Sequence, residues 1–531
     1  MTSDPWWRGA VIYQIYPRSF FDSNDDGVGD LPGAAAKLDY VAGLGVDGIW
    51  LSPFFRSPMK DFGYDVSDYR DVDPIFGTLA DFDALLSRAH ALGLKVLIDQ
   101  VYSHTSDEHP WFTESAAART GPKADWYVWA DAKADGLPPN NWLSVFGGPA
   151  WTWNARRRQY YLHNFLAEQP DLNFHNPEVQ MAILDVARFW LDRGVDGFRL
   201  DVVNYYTHDL ALRDNPPKVE GETPGWTYDF QQHLFDKSRP ETLAFTARLR
   251  GLIEQYPGRM LLGEIGDDHP LERQIEYTAP GRLHTAYSFH LLEANAGTPE
   301  LFARAIEAWR GAEGWPSWSL GNHDFARYPT RLGGANATPA QVNALLSALF
   351  FLRGTLFLYQ GDELGLEQAE VPFEALQDPF AKRAYAGGSG RDGARTPFPW
   401  TSAAPNGGFS HAAHTWLPMD PRHLARAAET QVGAAGSHHA FTRGLIALRS
   451  AWPAMKIGEA EVLDAPEGVL AVRRTQGASS LLCVVNLGAT PAVFTLPGLA
   501  GARELGLGLT HDRAGDELRL PAYGGGVFEL G

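Results

Sequence analysis

Several charged residues stand at the ends of apolar, strand-like runs, where a side chain is held rigidly and still faces a cleft. They are Asp99, the pair Arg199 and Asp201, Glu264, and the pair His323 and Asp324. One such carboxylate alone often does no more than cap the next helix. Several brought to one place are costly through burial and repulsion, so a shared use is the economical reading. Two carboxylates on separate supports suit glycosyl transfer: one attacks the anomeric carbon while the other, kept protonated, delivers its proton to the leaving oxygen. Asp201 fits the attacking role, because Arg199 lies two residues back on the same strand face and its guanidinium keeps the carboxylate ionised. Glu264 sits in Leu261-Leu262-Gly263-Glu264-Ile265, an apolar run that raises a carboxyl pKa and suits a proton donor. Metal-assisted hydrolysis is the rival chemistry, but no His-Glu-x-x-His run is present and the histidines are scattered.

A second cluster comes earlier. Asp22, Asn24, Asp26 and Asp30, with Gly27 among them, offer oxygens at every second position, as at the start of an EF-hand loop. Gly33 stands where such a loop needs its bidentate Glu, so the spacing suits either a divalent cation or a polar turn without one.

The elements that must position these residues are legible as apolar runs. Val11–Tyr16, Gly48–Ser52, Lys95–Asp99, Gly197–Val202, Met260–Glu264, Thr285–Phe289, Trp318–Asn322 and Leu356–Gln360 read as strands separated by helices. Eight such runs predict a (β/α)₈ TIM barrel, whose catalytic groups gather at the carboxyl ends of the strands. Thr78 and Asn176 cap two of the helices, with Phe82, Leu85, Leu86, Ala89 and Leu92 on the buried face of the first. Val179, Ile183, Val186 and Trp190 form that face in the second, and Gly93 and Gly194 close them. Residues 105–175 carry no sustained helical period and many tryptophans, which predicts an inserted subdomain after the third strand; a shorter excursion runs from Asn215 to Gly225. Beyond residue 452 the chain alternates between apolar and polar residues, which predicts a C-terminal antiparallel β-sandwich. The expected division is barrel over 1–104 and 176–451, insertion over 105–175 and sandwich over 452–531.

Composition narrows the partners. A net charge of −19, with no Lys/Arg run longer than Arg156-Arg157-Arg158, argues against nucleic acid and anionic membrane. The 17 Trp, 19 Tyr and 29 Phe serve a large core and also offer faces for sugar rings. No apolar run is long enough to span a bilayer, and Met1 to Gly9 lacks the features of a signal peptide. The single cysteine, Cys483, lies in an apolar run and reads as a buried, inert thiol; a cytoplasmic location is the expectation.

The segments themselves resemble the α-amylase family, glycoside hydrolase family 13. They are Gly45-Val46-Asp47-Gly48-Ile49-Trp50-Leu51-Ser52-Pro53, Asp99 to His104, Gly197 to Asp201, Gly263-Glu264 and Asn322-His323-Asp324, in the family's order. Gln169-Pro170-Asp171-Leu172-Asn173, Phe62-Gly63-Tyr64-Asp65 and Arg391-Asp392-Gly393-Ala394-Arg395-Thr396-Pro397 are similar to the α-glucosidase and oligo-1,6-glucosidase branch. The resemblance implies Asp201 as nucleophile, Glu264 as general acid/base and Asp324 as the residue gripping the sugar in the transition state. It implies that His104 and His323 bond hydroxyls, that Arg199 orients the nucleophile and that Tyr64 stacks beneath the terminal glucose. Asp61 and Arg391, with Phe165 as a wall, close the pocket and make the enzyme exo-acting. It further implies a structural calcium or magnesium held by Asp22, Asn24, Asp26, Asp30 and the carbonyl of Val28, and no organic cofactor. Ser103 departs from the family pattern, which places Asn before the histidine, and Phe325-Ala326-Arg327 is also unusual.

The expected activity is therefore hydrolysis of short α-glucosides, disaccharides or small oligosaccharides, with some glucosyl transfer. An isomerase or trehalose-forming enzyme on the same scaffold is the alternative. A non-catalytic binding or transport subunit predicts a lost carboxylate and a membrane anchor, and neither is seen. Val202, next to the nucleophile, accompanies α-1,6 cleavage in this branch, where Thr or Ala accompanies α-1,4.

Overall fold

The computed structural model describes residues 4–218, 226–384, 390–403 and 405–531. Eight parallel strands form its centre: β1 (Val11–Ile15), β2 (Gly48–Leu51), β3 (Lys95–Gln100), β4 (Gly197–Leu200), β5 (Met260–Ile265), β6 (Thr285–Ser288), β7 (Ser317–Ser319) and β8 (Thr355–Tyr359). Each pairs with its sequence neighbours, β1 also pairs with β8, and a parallel bridge from Ala286 to Pro316 joins β6 to the start of β7. The eight runs predicted as strands form a closed TIM barrel.

Alternation along each strand explains why these runs read as wholly apolar. Ile12, Trp50, Leu97, Met260, Leu262, Tyr287 and Phe357 form one buried cluster, the filling of the barrel. Their strand neighbours Val11, Tyr13, Ile49, Leu51, Val96, Ile98, Phe198, Leu200 and Leu261 belong to the layer between sheet and helices. Both faces are buried, as parallel strands under helical crossovers require. The inward row continues past its apolar members to the chemistry: Leu97 leads to Asp99, Arg199 to Asp201, and Leu262 to Glu264.

The two helices with clear sequence signals form as expected. In α1 (Leu79–Ala91) the Thr78 hydroxyl accepts from Asp81 N–H and the Asp81 carboxylate accepts from Thr78 N–H. Phe82, Leu85, Leu86 and Ala89 are buried there, while Leu92 is the C-cap and only half-buried. Asn176 caps α2 (Pro177–Arg193), Pro177 opens it, and Gly194 at φ 105° ends it in the left-handed conformation.

Between β3 and α2 the chain leaves the barrel and builds a three-stranded antiparallel sheet from Trp129–Ala130, Gln159–Leu162 and Trp151–Asn154. This stretch also holds a helix, Pro110–Ala117, that the sequence reading misses. Its two turns bury only Phe112 and Ser115, too few for a helical period to show. Of the excursion after β4, residues 219–225 lie outside the described residues.

The C-terminal part packs two antiparallel sheets. The larger runs through Glu459–Val462, Val469–Gln476, Ser479–Asn486, Gly525–Leu530 and Arg503–Glu504; the smaller joins Ala492–Thr495, Glu517–Leu520 and Asp512–Ala514. Val469, Ala471, Leu482, Val484 and Phe528 meet Phe494, Leu518 and Leu520 between the sheets. The opposite face, with Leu470, Val472, Leu481, Cys483 and Val485, joins the main core against the barrel. Cys483 is fully buried, and burial pushes its thiol up to about 12, as an inert side chain requires.

Candidate active site

At the carboxyl end of the barrel, Arg199 is fully buried and faces three carboxylates. Its Nη1 lies 2.8 Å from Asp99 Oδ1 and 2.6 Å from Asp201 Oδ1, and its Nη2 lies 2.6 Å from Glu264 Oε1. The strand register makes this convergence, since Asp99 pairs with Arg199 and Gly263 pairs with Leu200. One guanidinium cannot balance three negative charges in a dry site, so the acids hold protons more tightly than usual. Burial, above all, raises Asp201 and Glu264 each to about 7 and Asp99 to about 6, against the pull of Arg199. Arg199 draws Asp201 towards its ionised form, but its charge is divided among three partners and burial outweighs its share.

Two residues to which the sequence reading assigns no role complete this cluster. Tyr287, the register partner of Glu264 on β6, donates its hydroxyl to Glu264 Oε1 at 2.9 Å and accepts from Arg199 Nη2 at 2.8 Å. Trp50 donates its indole N–H to Asp99 Oδ2 at 3.2 Å. Both occupy inward positions of their strands, and that parity is the signal by which they are recognisable.

Val202 leaves the strand in the left-handed region, at φ 35°, where β-branched side chains are strained. That conformation aims its N–H at Glu264 Oε2, 3.1 Å away.

Tyr64 and His323 form the floor beside these acids. Their rings stack at 5.2 Å, and the Tyr64 hydroxyl lies 3.0 Å from Asp99 Oδ2 and 2.6 Å from His323 Nε2. Gln14 Nε2 reaches His323 Nδ1 at 2.8 Å, which makes Nδ1 the acceptor and places the proton on Nε2, towards Asp324 at 3.2 Å. His104 is similarly engaged, with Ser103 Oγ at 2.8 Å from Nδ1 and the Tyr64 carbonyl at 3.0 Å from Nε2. Ser103 thus takes up the ring nitrogen where the family pattern has Asn. Burial pushes His104 down to about 4 and His323 well below its ordinary value, so both rings are neutral.

A second charged cluster adjoins Asp324. Arg391 Nη2 lies 2.6 Å from Asp61 Oδ1 and 2.9 Å from Asp378 Oδ1, and Nη1 lies 3.3 Å from Asp324 Oδ1. Arg395 adds a contact to Asp324 Oδ1 at 2.7 Å. Burial favours a protonated Asp324, but the Nε2–H of neutral His323 and the charges of Arg395 and Arg391 outweigh it and hold this carboxyl below its usual range. Phe165 sits 5.3 Å from the His104 ring and 5.5 Å from Tyr205. Gln169 Nε2 ties Asp61, Tyr64 and His104 together at 3.2–3.3 Å. All eleven predicted catalytic and substrate-binding residues therefore fall in one connected network, which Asp99, Tyr287, Trp50, Gln169, Asp378 and Arg395 extend.

The loop residues lie apart from it. Asp22 accepts from the N–H groups of Asn24, Asp25 and Gly27, while Asp30 accepts from Ser23 and Gly33 and caps the next helix. Asn24 and Asp26 are exposed and each accepts from the N–H two residues on, Asp26 and Val28. Among the described residues no three His, Cys, Asp or Glu side chains converge as a metal cage. Yet Asp22 and Asp30 are both buried, and among the described residues no Lys, Arg or His lies within 4.0 Å of either. A loop of aligned oxygens and unpaired buried carboxylates fits a cation.

A TIM barrel with this acid cluster at its carboxyl end defines a glycoside hydrolase. The chain belongs to the α-amylase family: residues 14–458 match the alpha amylase catalytic domain, and residues 458–527 match a domain of unknown function, DUF3459. It is 50% identical to a probable alpha-glucosidase of Rhizobium meliloti (strain 1021) over 98% of this chain and 96% of that protein. It is 36% identical to an oligo-1,6-glucosidase of Parageobacillus thermoglucosidasius, covering 93% of this chain and 92% of that one. Among solved structures it is similar to the alpha-glucosyl transfer enzyme XgtA, at 52% identity and a TM-score of 0.96 over 100% of both chains.

Proposed function

We propose that the protein is a retaining, exo-acting α-glucosidase working through a covalent glucosyl–Asp201 intermediate. The observation that carries this is the single guanidinium of Arg199 gripping both Asp201 and Glu264, which fixes the two carboxyl groups together at 2.6 Å from its two terminal nitrogens. Carboxyl groups that share one guanidinium are compatible with the retaining separation of roughly 5 Å.

Asp201 attacks the anomeric carbon as Glu264 donates its proton to the glycosidic oxygen. Glu264, now ionised, then takes a proton from water, whose oxygen releases the sugar with its α configuration restored. Asp324, held ionised by its neighbours, bonds the sugar hydroxyls most strongly as the ring flattens. His104 and His323 face the same sugar, though their ring nitrogens already have protein partners. The Asp61–Arg391 pair and Phe165 close the pocket to a single terminal glucose. Val202 beside the nucleophile supports α-1,6 cleavage, with α-1,4 bonds or sucrose as further substrates.

The test is direct. Asp201→Asn is expected to lose several orders of magnitude in kcat with the fold intact. Retention of a tenth of the activity overturns the assignment, and an initial β-glucose product seen by NMR overturns retention.

Transfer is the second reading, favoured by the similarity to an enzyme named for alpha-glucosyl transfer. Product analysis on maltose, isomaltose and sucrose separates hydrolysis, transfer and isomerisation. We also propose that Asp22, Asn24, Asp26, Asp30 and the Val28 carbonyl hold calcium or magnesium as a structural ion, and that the enzyme is cytoplasmic, in keeping with its lone buried thiol.

A further inference from the structure

Arg18 stands in the short helical turn Pro17–Ser19 that leaves β1, two residues beyond Tyr16, whose ring stacks on His323 at 5.5 Å. It is 6% exposed, and among the described residues no carboxylate oxygen lies within 4.0 Å of its guanidinium. Asp73 and Asp65 act on its charge from farther away and offset burial only in part, so its pKa stays below the ordinary value. Its Nε is buried without a hydrogen-bond partner, and its Nη2 donates to the sulfur of Met59 at 3.1 Å. Otherwise the guanidinium faces rings, with Cζ 5.3 Å from the centre of Phe62, 5.2 Å from Trp416 and 5.5 Å from Phe76. A methionine or leucine would fill such a place at less cost in desolvation, so the charge has a use there.

That use lies in the segment it touches. Met59 at φ 62° and Phe62 at φ 52° are both left-handed, a conformation strained for side chains other than glycine and one that surrounding contacts must impose. Arg18 reaches both of them. Trp416 completes the grip: its ring lies 5.4 Å from Phe62, and its indole N–H donates to Ser19 Oγ at 3.1 Å, on the same turn as Arg18. Asp65 secures the backbone between the two strained residues, accepting from the N–H groups of Lys60 at 2.8 Å and Asp61 at 3.0 Å. Asp61, so placed, meets Arg391 Nη2 at 2.6 Å, and its carbonyl accepts from the N–H of Tyr64 at 3.1 Å.

We propose that Arg18 is a positioning residue for glucose binding: its guanidinium, set among Met59, Phe62 and Trp416, holds residues 59–62 in their left-handed turn and so keeps Asp61 on Arg391. The inference rests on the reading of the Asp61–Arg391 pair as the closure around the terminal glucose. Arg18 acts on the substrate through Asp61, so its loss weakens binding in the ground state and the transition state alike.

Steady-state hydrolysis of 4-nitrophenyl α-glucoside tests this. Arg18→Met, which keeps an unbranched stem but removes the charge, is expected to raise KM at least about tenfold while kcat stays within about threefold. The same substitution in an Asp61→Ala background should raise KM by less than about twofold further, because the residue through which Arg18 acts is gone. Met59→Leu keeps the volume, loses the sulfur and should raise KM about threefold; it serves if Arg18→Met does not fold. An unchanged KM in Arg18→Met, or in Met59→Leu where that variant stands in for it, overturns the proposal. A fall in kcat alone, or equal increases in KM with and without Asp61, does the same. KM unmoved by Asp61→Ala overturns the reading of Asp61 and Arg391 as the closure, and this inference with it. KM raised by Asp61→Ala but not by Arg18→Met removes this inference alone.

Discussion

Arg199 carries one positive charge into a group of three buried acids, and that imbalance governs how the site titrates. The proposed mechanism needs Asp201 ionised to attack and Glu264 protonated to donate, while burial lifts both to about 7. Activity is therefore lost as pH falls and Asp201 takes up its proton, and lost again as pH rises and Glu264 gives its proton up. The expected kcat/KM profile is a bell with its maximum near neutrality, the limbs belonging to the pair together. A profile flat between about pH 5 and 9 contradicts this arrangement. Tyr287 tunes one limb. Its hydroxyl donates to Glu264 Oε1, which favours the ionised form, so Tyr287→Phe should move the alkaline limb upward by about one pH unit. An unmoved limb, with kcat lowered or not, reduces Tyr287 to a packing residue. Val202 acts on linkage instead. A threonine there adds a hydroxyl for an α-1,4 acceptor at nearly constant volume, worth about 1–3 kcal/mol. Val202→Thr should raise the maltose-to-isomaltose ratio of kcat/KM by roughly one to two powers of ten. Wild-type enzyme that cleaves maltose but ignores isomaltose refutes the linkage reading and leaves the α-glucosidase assignment standing.

At the scale of the element, the loop from Asp22 to Asp30 joins β1 to the helix that Asp30 caps. Its buried carboxylates repel each other unless a cation lies between them, and burial together with Asp22 raises Asp30 above its ordinary value. Exhaustive removal of divalent metal should lower Tm while leaving the catalytic acids competent, and metal analysis should find about one ion per chain. An unmoved Tm with no metal found makes the loop a polar turn. The loop's spacing was legible in the sequence because all its oxygens are local. The same holds for the barrel strands, where doubly buried runs such as Met260–Ile265 need no partner to be recognised, and for Arg199 and Asp201, whose shared face follows from strand parity. The sharing of Arg199 with Asp99 and Glu264 was not legible, because it arises from pairing between strands about a hundred residues apart in one case and more than sixty in the other. Tyr287 was missed for the same reason, its importance lying wholly in its register with Glu264. The helix Pro110–Ala117 escaped for a local reason, being shorter than the window a period needs.

In the whole molecule, the barrel and the C-terminal sheets share one core, because the larger sheet is buried on both faces. Two arginines secure the seam. The helix Pro339–Phe350 ends there, and its last carbonyls lack partners within the helix. Arg474, fully buried on the strand Val469–Gln476, donates to the carbonyls of Phe351 and Leu352 at 2.9 Å each and to Gly458 at 2.9 Å. Arg449 donates to Phe350, Leu352 and Met455 from the other side. Among the described residues neither guanidinium has a carboxylate within 4.0 Å, so their positive charge is matched by carbonyl dipoles at a helix C-terminus. Arg474→Met keeps much of the volume but leaves several buried carbonyls unpaired, a loss of about 2–4 kcal/mol. The neighbouring Arg473 pairs instead with exposed Glu461 at 3.0 Å, an interaction worth at most about 1 kcal/mol. Calorimetry should therefore show one cooperative transition for the wild type, moved down by several degrees in Arg474→Met and almost unmoved in Arg473→Met. Two well-separated transitions in the wild type refute the shared core. Equal small shifts in both variants refute the seam, because adjacent arginines on one strand then contribute alike whichever face they occupy.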